Sequence, residues 1–209
     1  LGINAATDIT STGTIGGTFP VMGNARTIAG ISVGNLDVDK QSTPATTTLL
    51  SGSVEQGIAA FKFAASSTEG FAVNSIKITH VGSATRDDVK NLTLKVSGVQ
   101  IGETVATLDS QNAATFDLAT PLVINAGSSK TIYVYADIAG GIWTSRTVIF
   151  EITQYTDVVA YGANSGGSTT ITYNTGTAFA RQTGSTMTIG QGTLTVNIDA
   201  ATNPSSQNY

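Results

Sequence analysis

Leu92-Thr-Leu-Lys-Val96 alternates apolar and polar side chains without a break. That period of two sends successive side chains to opposite faces of a strand. Working outward, the same period returns in Ile76-Lys-Ile78 and Phe61-Lys-Phe63 on one side. On the other side it returns in Phe116-Asp-Leu118, Ile132-Tyr-Val-Tyr-Ala136, Val148 to Thr153 and Leu194-Thr-Val-Asn-Ile198. No stretch has the spacing of an amphipathic helix. Turn-forming clusters separate the runs: Ser66-Ser-Thr-Glu-Gly70, Val81-Gly-Ser83, Ser97-Gly98, Asp109-Ser-Gln-Asn112, Asn125-Ala-Gly-Ser-Ser129, Gly140-Gly141 and Asn164-Ser-Gly-Gly-Ser168. Many short strands at this spacing predict an all-β fold, an antiparallel sandwich with Greek-key links and extra strands at its ends.

A second pattern concerns organisation. Ile31-Ser-Val-Gly-Asn-Leu-Asp-Val-Asp39 returns loosely as Ile189-Gly-Gln-Gly-Thr-Leu-Thr-Val-Asn197, with Gly34 over Gly192, Leu36 over Leu194 and Val38 over Val196. Each copy runs into a Thr/Ser/Pro stretch, around Pro44 and Pro204. A strand-like segment recurring at domain-sized spacing points to a modular array. Three parts are expected. Residues 1–30 are an N-terminal extension, either the end of a preceding module or a donor strand. Residues 31–188 form the sandwich, and residues 189–209 hold the repeated strand and a linker. A start at Leu1 rather than Met is expected of processing, or of a piece of something longer.

Composition narrows the classes of use. Hydrophobic residues are 40% of the 209 and charged residues 11%, against roughly 25% charged in average domains. Polarity comes instead from Thr, Ser, Asn and 23 glycines, a mixture suited to pleated surfaces and turns and common in secreted β-rich proteins. The net charge of −4 disfavours nucleic acid and anionic membranes as partners. With no cysteine, there is neither a disulfide framework nor a thiolate metal site. No apolar run approaches the roughly 18 to 20 residues that span a bilayer as a helix, and the opening residues do not read as a signal peptide.

An ordered series of segments carries a family resemblance: Glu55 to Phe63, Val73-Asn-Ser-Ile-Lys-Ile78, Val89-Lys-Asn-Leu-Thr-Leu94, Pro121-Leu-Val-Ile-Asn-Ala-Gly127 and Thr131-Ile-Tyr-Val-Tyr-Ala-Asp137. It resembles the immunoglobulin-like β-sandwich modules of large secreted bacterial surface proteins, S-layer-like and adhesin-like. The resemblance covers about residues 31–137 and, more weakly, the rest to 199. It implies an immunoglobulin-like fold, a secreted or cell-surface location, and use as a spacer, lattice builder or adhesive unit. It brings no catalytic motif.

Candidate sites are few. His80, the only histidine, has no motif partner and reads as a surface or strand-end structural residue. Asp87 and Asp88, with Asp109 and Asn112 elsewhere, are the candidate calcium ligands, though not at EF-hand spacing. Solvated loop carboxylates are the plainer reading, and no cofactor is expected. Asp117, Asp137 and Glu151 sit on the polar phase of strands and are expected to face solvent. Trp143 and Tyr161 lead a set with Tyr133, Tyr135, Tyr155 and Tyr173 that offers faces for stacking on a glycan, or half-buried cross-strand partners. Asn91-Leu-Thr93 fits the glycosylation pattern within a strand. The glycine-rich stretches lack the context of a phosphate loop.

These readings lead to a structural, non-enzymatic subunit of an extracellular polymer, a filament or surface-layer array of copies of itself. Head-to-tail contacts are expected, with strand complementation by residues from 1–30 or 186–199 and Leu194, Val196 and Ile198 as apolar knobs. The alternative is an adhesin-type binding or spacer module recognising glycan or protein.

Overall fold

The computed structural model describes residues 2–25, 34–141 and 144–192. The chain divides into two compact units, Leu1–Ile31 and Ser32–Tyr209. In the first, β1 (Gly2–Ile3) pairs antiparallel with β2 (Val21–Met22), Ile3 opposite Val21 and Gly2 opposite Met22. A short 3-10 turn, Ala6–Asp8, is closed by the Asp8 carboxylate, which accepts the N–H groups of Asn4 and Ala5. None of its described residues is buried.

The second unit is an all-β sandwich. Its strands are β3 (Asn35–Lys40), β4 (Thr48–Leu50), β5 (Gln56–Ala65), β6 (Phe71–His80), β7 (Val89–Val96), β8 (Val99–Thr107), β9 (Ala113–Ile124), β10 (Ser129–Ile138), β11 (Thr147–Val148), β12 (Phe150–Ile152), β13 (Val158–Gly162), β14 (Thr170–Tyr173), β15 (Thr177–Ala178), β16 (Gln182–Thr183) and β17 (Met187–Gly190). One sheet has the order β15-β14-β3-β5-β10-β7-β8. The second is centred on β6, with β9 along one edge and β13 followed by β12 along the other; β16 lies beyond β12. A small third sheet runs β11-β17-β4. Most pairs are antiparallel, as expected, but β14 runs parallel to β3 and β17 parallel to β4. The second parallel pair follows from a change of sheet. The chain pairs with β5 up to Lys40, passes Pro44, and resumes beside β17 from Thr48. Proline cannot donate to a ladder, so it suits the crossing between sheets.

The alternating residues read from sequence fill the space between the sheets. Phe61, Phe63, Leu92, Leu94, Ile132 and Val134 come from the first sheet, and Phe71, Ile76, Ile78, Phe116 and Phe150 from the second. All are at most 1% exposed, so each contributes roughly 1.5 to 3 kcal/mol of transfer free energy. β6 does not keep one phase throughout: Val73 and Ile76 both enter the core although three positions apart. The register against β13 and against β9 shifts at Asn74, which pairs with neither neighbour. A bulge in a central strand resets the alternation.

Two more bulges close one side of the sandwich. β8, the end of the first sheet, shifts register between Val105 and Ile101; β9, the edge of the second, shifts between Leu122 and Asp117. The two bulges meet. Gly102 takes φ +68°, and a Cβ there would lie 2.8 Å from Leu118 Cδ2. Unpaired edges invite pairing with other chains, and bulges that bend the strand remove the straight template. The domain break expected at residue 188 falls inside β17, where Met187 and Ile189 are buried.

Gly102 therefore faces two demands, a left-handed backbone and a close neighbour. Gly102→Val is expected to lower the urea-unfolding free energy by about 1 to 3 kcal/mol. Gly140→Ala, where an added Cβ meets nothing within 4 Å, should stay within about 0.5 kcal/mol of the parent.

Candidate functional site

Three arrangements bear on function: a cleft beside the paired bulges, a polar cluster at the end of β6, and the outer face of the second sheet. The cleft encloses about 500 Å³ and is lined by Gln100, Glu103, Asp117, Thr120 and Lys130 above the Gly102 bulge. It opens broadly to solvent and sets carboxylates, an amide and an ammonium beside Ile101, Pro121, Leu122 and Val123. That chemistry gives weak polar contacts rather than an enclosed reaction centre.

His80 ends β6, which fits the strand-end half of the sequence reading, but at 4% exposed it is buried and not on the surface. Pairing of His80 with Phe150 in β12 brings it inside, and its ring meets the Phe150 ring edge-on at 5.4 Å. Its Nε2 has no hydrogen-bond partner among the described residues. Burial pushes its pKa below the usual 6.5, while the Thr147 backbone and the Asp88 charge act in the opposite sense. Asp88 is committed nearby. It accepts the Thr85 N–H at 2.7 Å and Arg146 Nη1 at 2.5 Å. Burial opposes its ionisation, but the Thr85 and Arg146 bonds hold its carboxyl below the usual range. Asp88 thus ties the 3-10 turn Arg86–Asp88 to the start of β11, while its neighbour Asp87 is exposed. The structure does not bring the two together as paired metal ligands. Among the described residues, no group of three or more His, Asp or Glu is placed to hold a metal ion.

Other carboxylates also serve local structure. Glu151 is 3% exposed, against the solvent-facing expectation. The reason is that β12 is covered on both faces. Glu151 accepts Thr183 Oγ at 3.0 Å and Thr153 Oγ at 3.3 Å, with Arg181 Nε 3.4 Å away. Asp137 accepts the Glu55 N–H and Asn91 Nδ2, so the amide of the Asn91-Leu-Thr93 pattern is already engaged. Asp117 is exposed in β9. Glu69, which sequence reasoning passed over, is buried and accepts Ser165 N–H and Oγ across the sandwich end, pinning the loop from Gly162 to Gly167. Asp109 accepts the Gln111 and Ala113 N–H groups and closes its own turn.

The outer face of the second sheet is different, because beside Thr115, Asp117 and Lys77 it carries a row of apolar side chains. Val123, Ala72 and Tyr161 stand directly opposite one another across β9, β6 and β13. Val123 is 48% exposed and Tyr161 42%; Val159 and Tyr155 beside them are also exposed. Tyr161, named from sequence as a stacking residue, belongs to this row. Tyr133 and Tyr135 instead lie half-buried on β10, where Lys95 sits 4.9 Å over the Tyr135 ring. The row itself was not legible in the sequence, since Val123 and Tyr161 meet only through β6. Trp143, Leu194, Val196 and Ile198 lie outside the described residues. Of the segment 186–199 assigned to a neighbour's sheet, Met187–Gly190 form β17 and pair within their own unit with β4 and β11.

No family model and no curated protein matches the sequence. Among solved structures, the chain is similar to AvmM, which catalyses macrocyclization in alchivemycin A biosynthesis, with a TM-score of 0.37 and 13% identity over 78% of this chain and 93% of that one. It is similar also to a family 123 glycoside hydrolase from Clostridium perfringens, with a TM-score of 0.32 and 6% identity over 75% of this chain and 27% of that one. Likenesses this distant carry no argument about function.

His80 yields a pH prediction. Its pKa is lower folded than unfolded, so the unfolded chain takes up the proton first as pH falls. Its contribution is full above the unfolded value of about 6.5 and is lost as pH drops through that value towards the folded one. Urea midpoints should fall between about pH 7 and pH 5. His80→Leu should flatten that slope, because this is the only histidine and there is no cysteine.

Proposed function

We propose that this chain is a structural, non-enzymatic subunit of an extracellular polymer, a filament or surface-layer array assembled from copies of itself. The observation that carries the reading is the character of residues 2–25. They expose Ile3, Ile9, Val21 and Met22 and bury no residue, with two strands of two residues each. A hairpin that short is marginal in water, and a segment below about 40 residues seldom builds a core of its own. Its apolar side chains call for a surface supplied from outside the hairpin. A head-to-tail contact of that kind propagates into an open filament unless rotation closes it into a ring.

The immunoglobulin-like resemblance and the low charge agree with close lateral packing on a cell surface. The carboxylates of Asp88 and Glu151 are spent on local structure, and His80 has no acidic or nucleophilic partner bonded to its Nε2 among the described residues. Leu194, Val196 and Ile198 remain sequence-level candidates for a second assembly contact. The alternative is an adhesin-type module, favoured by the exposure of Tyr155 and Tyr161, whose ring faces suit stacking on a saccharide. Glycan-array binding lost on Tyr161→Ala would decide for it.

For the polymer reading, size-exclusion chromatography and negative-stain electron microscopy should show concentration-dependent filaments or sheets. Deleting residues 1–30 should leave a folded monomer with an unchanged β-type circular dichroism spectrum. A wild-type protein that stays monomeric at every concentration would end this reading.

A further inference from the structure

Among the described residues, exposed large apolar side chains gather in two groups of matching chemistry, with Leu50, Val54, Val81 and Val99 exposed elsewhere. One is the outer row Val123–Ala72–Tyr161 with Val159 and Tyr155 beside it. The other is the β1–β2 hairpin, where Ile3 and Val21 stand opposite each other on one side, 38% and 53% exposed. We propose that the hairpin of one copy docks on the outer row of a second copy, with the Ile3–Val21 pair seated against Tyr161 and Val123. The inference rests on the polymer reading and gives it a contact.

Several observations favour a second copy's hairpin as the occupant. Residues 2–25 hold one charged side chain, Asp8, whose carboxylate is already bonded to two backbone N–H groups, so docking strands no unpaired charge. The row is likewise uncharged. Its charged neighbours form a margin: Asp117 opposite Ser75, Lys77 3.8 Å from Asp157, and Glu103 and Lys130 in the cleft that Val123 also lines. An apolar centre with an exposed tyrosine anchor and a charged margin is the anatomy of a protein contact. Face-to-face pairing of two rows would leave both hairpins uncovered, whereas hairpin-to-row contact covers both features at once. It also uses different patches on the two copies, which is the condition for an open polymer.

The test uses the full chain and two variants. The row variant is Tyr161→Thr with Val123→Thr, and the hairpin variant is Ile3→Ser with Val21→Thr. All four positions are exposed, and circular dichroism checks that each variant folds. By sedimentation velocity, each variant alone should assemble at least about tenfold more weakly than the parent. Their equimolar mixture should form a dimer that goes no further, because only one intact hairpin meets only one intact row. If both variants assemble like the parent, the contact is wrong while the polymer reading stands. If only the row variant is impaired, rows pair with each other and the proposal is overturned. If the parent itself never assembles, the polymer reading fails first.

Discussion

An unpaired strand edge is a line of unsatisfied N–H and C=O groups, and this sandwich brings two bent edges together along one side. β8 ends one sheet and β9 edges the other. Each bends at a bulge, and Gly102 reaches Leu118 across the gap. With that side shut, the phenylalanines between the sheets are sealed from water. The polar groups elsewhere follow the same logic. Glu69, Asp88, Asp109, Asp137 and Glu151 are held in place by backbone amides, hydroxyls or an arginine at turns and strand ends. They finish a scaffold.

Part of what remains uncovered is apolar. A chain with 11% charged residues has few charges with which to keep copies apart. Among the described residues, exposed large apolar side chains gather in the β1–β2 hairpin and the row on β9, β6 and β13, with Leu50, Val54, Val81 and Val99 exposed elsewhere. Each is too small to matter alone and too apolar to be neutral in a crowd. The proposed step from fold to use lies there: the buried carboxylates are engaged within the scaffold, and the exposed apolar surface is what the polymer reading draws on.

Much of the scaffold was legible in the sequence. Period-two runs such as Leu92 to Val96 and Ile132 to Ala136 became strands with the expected faces inward. The failures came where pairing overrides the local pattern. Glu151 looked solvent-facing because its neighbours alternate, but strands on both sides and residues 181–183 cover it. His80, read as a surface or strand-end residue, does end β6, but it is buried because β12 pairs beside it. The bulge at Asn74 is visible in hindsight as a broken phase from Val73 to Ile76. The outer row was out of reach, because Val123 and Tyr161 are brought together by a strand that lies between them in space. The boundary expected at residue 188 falls inside β17, because pairing with β4 and β11 runs past it.

The most direct test is a photo-crosslink between copies. A benzophenone side chain introduced at Val21 in isotopically light protein, mixed with heavy protein lacking the label, would be irradiated under assembling conditions and mapped by mass spectrometry. The account predicts light–heavy crosslinks from position 21 to the segment around Val159–Tyr161 or to Val123. Crosslinks confined to light–light pairs within one chain, or mapped elsewhere on the heavy copy, would contradict it.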